Sequence, residues 1–344
     1  MHTDGTSRPA PSWYRQTKIF EVPSLGRACG QIAGTLLPFA AAWILAVVLM
    51  EFQVPYPIVL IPVVLAGLLL VRLFIIFHDC SHGSFFKSSK ANTAWGWFFG
   101  VLTFTPFQGW RRAHGIHHAT VADLDKRGIG DVWTLTLEEY RQKGFWTRLW
   151  YRIYRNPAML FLIAPLFLFL VIHRFPERSA RTTEHWSVHL TTAAAAVLVL
   201  AMGFGLGWQV VLGVHLPMFF VSAVLGVWLF YVQHQFDPTY WEHTEDWDHF
   251  EAALQGSSHY RLPRVLQWFS GNIGFHHIHH LRPRIPNYNL ERCYKAVKEL
   301  QLPDPLTLWH SLKCMTLHVW DEKEKLLLTF RQVRRLLRAE RVLA

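Results

Sequence analysis

The apolar residues of this chain are gathered into blocks rather than spread at amphipathic spacing. Gln31–Phe52, Pro55–Phe77, Leu190–His215 and Leu216–Val232 are each long enough, or nearly so, to cross a hydrocarbon core of roughly 30 Å as a helix. The turns between the paired blocks, near Glu51–Pro57 and Gly213–Pro217, carry no Lys or Arg. The N-terminus, Arg111–Arg155 and the tail from Arg261 are basic. Positive residues stay on the cytoplasmic side, so the pattern predicts two helical hairpins with both bare turns outside and everything else in the cytoplasm. Two shorter blocks, Ala94–Phe107 and Met159–Ile172, are expected to dip into the interface or lie against it as helices.

Composition agrees with a membrane protein. Of 344 residues, 51% are hydrophobic and 15% aromatic, and 16 are Trp. The formal net charge of +10 falls largely outside the apolar blocks, as the topology rule requires, so nucleic acid is not the expected partner. The first 30 residues hold Arg8, Arg15, Lys18 and Arg27 but no apolar run, unlike a cleaved signal peptide. Cys29, Cys80, Cys293 and Cys314 are scattered, which argues against disulfides and thiolate zinc sites.

Three histidine clusters flank these blocks: His78 and His82; His114, His117 and His118; His276, His277, His279 and His280. The first pair stands at i, i+4, and His114/His117/His118 and His276/His279/His280 at i, i+3, i+4, so each set shares one helix face. His234, just past the last block, is the natural ninth member, and His277 is expected to face the other way. Imidazole accepts zinc, copper, nickel and iron. Zinc hydrolases need only about three histidines, whereas nine suit two redox-active ions with positions left open, and two irons are the expected pair. Asp79, Asp123, Asp125, Asp237 and Asn272 are candidates to orient the rings, or ordinary cap and turn residues. The remaining histidines (His2, His173, His185, His189, His215, His243, His249, His259, His310, His318) are expected at surfaces or interfaces.

Asp123–Gly144 reads as a cytosolic loop and helix, with Gly128 and Gly130 breaking the chain before Trp133–Gln142. From Leu290 onward the pattern is amphipathic and basic, as in Leu326–Leu328 with Arg331, Arg334, Arg335, Leu336, Leu337 and Arg338, which suits either a helix on the membrane face or a solvated one. The expected architecture is an all-α integral membrane protein: residues 1–30 a cytosolic segment, 31–293 a membrane domain of two hairpins (about four spans) with interfacial helices and a cytosolic histidine-rich cap, and 294–344 a basic amphipathic tail.

The order HxxxH, HxxHH, HxxHH, with hydrophobic hairpins before the first and third boxes, resembles the membrane fatty-acid desaturases. Tyr231-Val-Gln-His234, Gly256-Ser-Ser-His-Tyr260 and the run from Gly271 to Leu281 are similar to bacterial acyl-lipid desaturases of the Δ12/omega-6 type. The resemblance implies a di-iron centre facing the cytoplasm of a bacterial inner membrane, at the mouth of a channel for the acyl chain. It implies that dioxygen and two electrons are used to form a cis double bond, and His78, His82, His114, His117, His118, His234, His276, His279 and His280 match the ligand positions. Trp95, Trp97, Trp110 and Phe107 are candidates to line the channel or to form an interfacial belt. Two positions depart from the relatives' patterns: Gly83 follows His82 where Δ12-type enzymes of plants and animals often carry another histidine, and Phe230 stands where stearoyl-type enzymes have an asparagine. With no HPGG motif for a fused cytochrome b5 domain, the implied electron donor is a separate small acidic carrier such as ferredoxin. Hydroxylases, carotenoid ketolases and alkane monooxygenases share such boxes. A metal transporter or a bis-histidine haem protein is the rival from another class, yet the spans hold almost no ionisable groups apart from Glu51 and Arg72 near their ends.

Overall fold

The structure is a computed structural model and describes residues 10–343. Among the described residues, four helices are long and apolar enough to cross a membrane: Leu25–Glu51, Tyr56–His82, Thr182–Gly205 and Trp208–His234. The first pair packs as a hairpin, and the second and fourth spans lie side by side with both histidine-bearing ends at one side. Gly67 makes that crossing close, because a Cβ there would stand 2.8 Å from the Val221 side chain and 2.9 Å from the Met218 carbonyl. With no water to drive helices together inside a bilayer, such small residues let dispersion contacts do it.

The second hairpin differs from the sequence expectation. The break falls at Leu206–Gly207 rather than at Gly213–Pro217, and the last span runs from Trp208 through both of those residues. Gly207 takes φ 93°, a reversal that glycine accepts without strain. Pro217 is tolerated because it follows a π-turn at Val211–His215, where the helical ladder is already interrupted. His215 therefore lies inside the span and is buried. His259 and His318 are buried as well and His173 is partly buried, against their expected surface positions, while His189, His243 and His310 are exposed. His2 and Arg8 lie outside the described residues.

The first short apolar block forms a helical hairpin that turns back without crossing. Ser88 caps the helix Ser89–Leu102, accepting from the Ala91 N–H at 3.3 Å. The chain reverses at residues 103–106, where the Thr105 N–H donates to the Gly100 carbonyl at 2.7 Å. It returns as the helix Phe107–Thr120, which carries the second histidine cluster. At the tip, the Phe104 ring stands 4.8 Å from that of Phe219, and Arg174 donates to the Phe104 carbonyl. The first and second clusters thus reach the same side. The other short block is a π-turn at Met159–Ile163 and a helix at Ala164–Leu170, bent as a unit by 58° from the helix Phe145–Tyr154.

Beyond the spans, short helices and strands build a cap. Leu135–Thr136 pairs in parallel with Val319–Asp321, which pairs antiparallel with Leu326–Leu328, and Tyr260–Arg261 pairs with Leu306–Thr307. The helix expected over Trp133–Gln142 is only Leu137–Gln142, begun by a Thr136/Glu139 capping box. Arg155 fastens the cap to the fourth span: fully buried, it donates to the Gln235 side chain at 2.9 Å, the Leu317 carbonyl at 2.7 Å and the Tyr231 hydroxyl at 3.2 Å. The tail ends in an amphipathic helix, Phe330–Leu343.

Candidate metal centre

Four helix ends deliver the nine histidines. The second span brings His78 and His82, the helix Phe107–Thr120 brings His114, His117 and His118, the fourth span brings His234, and the helix His276–Leu281 brings His276, His279 and His280. Ligand atoms of His78, His82, His114, His118 and His279 lie within 4.8 Å of one another, and those of His117, His234 and His280 form a second group on the same criterion. His276 Nε2 stands 2.9 Å from His234 Nε2 and 3.1 Å from His280 Nε2, beside the second group. The two groups adjoin, since the His118 and His280 rings stack at 4.0 Å. His277 points away, its Nε2 2.9 Å from the Leu300 carbonyl.

The donor set suits metal cations. His78 Nε2 and His82 Nε2 are buried and have no hydrogen-bond partner. His118 Nε2 lies 3.1 Å from His114 Nε2 and 3.0 Å from His279 Nε2, a convergence of lone pairs that a cation relieves. Burial, with the neighbouring imidazoles, holds His114, His118, His276, His279 and His280 well below the ordinary histidine range. Neutral imidazole is the form that binds metal.

Each group has one ring anchored by a carboxylate. His78 Nδ1 is 3.2 Å from Asp79 Oδ1, while Asp79 Oδ2 accepts from the Asn287 N–H at 2.6 Å and the Asn287 amide at 2.9 Å. His117 Nδ1 is 2.7 Å from Asp131 Oδ1. An Nδ1–H held on a carboxylate leaves Nε2 as the ligand atom. Asp79 was among the sequence candidates, whereas Asp131 and Asn287 were not. The only hint of Asp131 was its place after two glycines downstream of the second cluster. The other candidates do different work: Asp123 binds Lys126 and Thr244, Asp125 binds His243 and Thr244, Asp237 accepts from the Leu327 N–H at 3.4 Å, and Asn272, at φ 60°, pairs with Gln267. Phe230 packs its ring 5.3 Å from His117 and 5.2 Å from His234.

An apolar cavity of about 570 Å³ runs between the spans to this cluster. His78, His114 and His276 line it at the cluster, and Phe74, Trp110, Phe169 and Phe219 line its length. Trp95, Trp97 and Phe107 instead pack into the core, so Trp110 alone of the four proposed aromatics lines the cavity. Its volume is that of an ordinary ligand site.

Comparison with known proteins agrees with this arrangement. The family model described as Fatty acid desaturase matches residues 54–312. A Bacillus subtilis protein named fatty acid desaturase is 42% identical over 320 residues, 93% of this chain and 90% of its own. Two Synechocystis proteins are similar over 68% of this chain and 66% of their own: an sn-1 acyl-lipid omega-3 desaturase (ferredoxin), 30% identical, and an sn-1 oleoyl-lipid 12-desaturase, 28% identical. The chain belongs to the fatty acid desaturase family. It is an oxidoreductase, all-helical in its membrane region, with a histidine cluster compatible with a metal centre.

Proposed function

We propose that this protein is an acyl-lipid desaturase that introduces a cis double bond of the Δ12/omega-6 type, with two irons held by His78, His82, His114, His117, His118, His234, His276, His279 and His280. The observation that carries this reading is the continuity of the apolar cavity with the histidine cluster: the surface that would sheathe a methylene chain also includes His78, His114 and His276. The relatives named as oleoyl-lipid 12-desaturases support the position of the double bond. Lys- and Arg-free turns at Phe52–Pro55 and Leu206–Gly207 support a cluster facing the cytoplasm of a bacterial inner membrane.

Bound irons would supply the power to oxidise an unactivated chain with dioxygen. The protein's own part is placement. Phe74, Trp110, Phe169 and Phe219 exclude water and fix which carbons lie beside His78, His114 and His276. Asp79 and Asp131 keep two of the rings in one orientation. Residues 31–293 act as the catalytic membrane domain, and 294–344 clamp it through Leu306–Thr307 and Val319–Asp321. Electrons come from a small acidic carrier of the ferredoxin kind; ferredoxin is named for two relatives.

Fatty-acid methyl ester profiling of cells expressing the chain and its His279→Ala variant, with ferredoxin supplied, tests this reading. A new dienoic acid that disappears in the variant is the expected result. A hydroxylated product, or an unchanged profile from folded and iron-loaded protein, overturns it.

A further inference from the structure

Eight of the nine clustered histidines are buried, and His82 alone retains exposure to the outside. Its inner nitrogen is buried among His78, His114, His118 and His279, so its ring joins the metal cluster to the surface. The charge around that opening is one-sided. The forty residues from Gly83 to Ala122 contain no Asp or Glu, but they include Lys87, Lys90, Arg111 and Arg112. Arg112 is tied to Glu184 at 3.3 Å, whereas Lys87, Lys90 and Arg111 are exposed and make no ion pair among the described residues. Arg111 stands one turn before His114, whose ring lies 4.9 Å from that of His82.

The helix Phe107–Thr120 buries His114, His117 and His118 and presents Arg111, Gly115 and Ala119 outward at i, i+4, i+8. On the third cluster's side, the 3-10 helix Ser12–Glu21 is fastened to Arg282 through Thr17 and Glu21. It adds exposed Arg15 and Lys18, and its single acid, Glu21, is already paired with Arg282 at 2.7 Å.

We infer that the face around His82, bordered by Lys87, Lys90 and Arg111 and flanked by Arg15 and Lys18, is the docking surface for a small acidic one-electron carrier, with His82 the ligand nearest the incoming electrons. This rests on the proposed desaturase reading. Two reduced carriers give two electrons per turnover: R–CH2–CH2–R′ + O2 + 2 e⁻ + 2 H⁺ gives R–CH=CH–R′ + 2 H2O, and both carriers leave oxidised. Unpaired cations also attract anionic lipid headgroups. The carrier is favoured because exposed, unpaired Lys87 and Lys90 follow directly on the one cluster histidine open to the outside, and Arg111 stands on the helix that packs against it. Complementary charge of this kind acts mainly on association and is screened by salt.

The test uses iron-loaded full-length protein in nanodiscs of stated phosphatidylglycerol content, driven either by an acidic [2Fe–2S] ferredoxin with its reductase or by dithionite. The Lys87→Glu/Arg111→Glu double variant should raise the KM for ferredoxin at least tenfold and flatten the salt dependence of kcat/KM. Iron content and dithionite-driven turnover should stay at wild-type levels. Lys87→Gln/Arg111→Gln should show a smaller shift in the same direction and guards against misfolding of the reversal variant. Arg334→Glu/Arg335→Glu, on the tail helix, should leave the ferredoxin KM unchanged. The inference is overturned by a ferredoxin KM within twofold of wild type, by an equal rise in the tail variant, or by a loss that follows phosphatidylglycerol content rather than ferredoxin. If wild-type protein forms no olefin with either reductant, the desaturase reading fails. Stopped-flow reduction of the bound metal by ferredoxin then still decides the docking face.

Discussion

Asp131 reaches His117 from a loop outside the helix that carries the histidine, placing Oδ1 2.7 Å from Nδ1. Gly130 makes the approach possible: it adopts φ 78°, and a Cβ there would stand 3.0 Å from His117 Cβ. The same Asp131 also lines the apolar cavity, so one residue borders both the cluster and the cavity. Its counterpart in the other group, Asp79, is locked by Asn287 and cannot turn away from His78.

Removing the Asp131 carboxylate should therefore loosen metal without unfolding the chain. Loss of such a partner commonly costs about 10–100-fold in metal affinity. Asp131→Ala, which leaves Nδ1 without its acceptor, should lose more than Asp131→Asn, which keeps an amide oxygen in reach. Iron per chain after dialysis against a graded chelator series measures this. Wild-type retention in both variants would show that the contact does not position His117.

The Asp79 anchor should show itself in stability. Asn287 gives its amide to Asp79 and its carbonyl oxygen to Gln31, whose Nε2 donates at 2.9 Å. Asn287→Ala strands the buried Gln31 amide and leaves Asp79 Oδ2 with only the backbone N–H of residue 287, and an unsatisfied buried polar group costs about 1–3 kcal/mol. A lowered Tm of the metal-free protein in detergent is expected, with Asn287→Asp also destabilised because it sets a second carboxylate against Asp79. A Tm unchanged in both variants would remove the anchor from the account.

Much of this arrangement was legible because it depends on local period. Apolar runs of membrane length gave the four spans, and spacing by three and four put each histidine set on one helix face. The second hairpin's turn was misplaced because Gly213 and Pro217 look like breakers, whereas a π-turn carries the helix past them and Gly207 takes the reversal. Asp131 was hidden because a loop has no period to read. The cavity was hidden for a related reason: Phe74, Trp110, Phe169 and Phe219 come from four separate elements, and only tertiary packing brings them together. Burial of His215 and His318 is likewise a property of the assembled fold.

His318 gives the cap a pH dependence. Its ring stacks on Phe330 at 4.2 Å, and burial, aided by the nearby Arg155, pushes it down to about 3. The native ring stays neutral while the unfolded chain takes up a proton near the ordinary value of about 6.5. No stability is lost to it above that pH, and the loss grows as pH falls toward about 3, reaching roughly 2 kcal/mol at pH 5. His318→Phe keeps an aromatic ring against Phe330 and removes the titration. Between pH 7 and pH 5 the wild type should lose more Tm than this variant. Parallel curves would exclude His318 as a source of acid lability.

The channel itself is testable at Gly226 on the fourth span. The residue lines the cavity, and a Cβ built there meets nothing within 4 Å, so a larger side chain enters open space rather than the packed core. Gly226→Leu should fold and bind iron as the wild type does, since the span gains helix propensity and loses no contact. Its isobutyl group would occupy room that the acyl chain needs between Phe219 and Phe230. Desaturation of long chains should fall at least tenfold, or the double bond should move as the chain is held at a different depth. Gly109→Leu, which also lines the cavity and has a free Cβ direction, tests the face contributed by the helix Phe107–Thr120 in the same way. Product analysis beside iron content separates a blocked channel from a damaged centre. If both variants keep wild-type iron, rate and double-bond position, this cavity does not hold the substrate, and the chain must reach His78, His114 and His276 by another path.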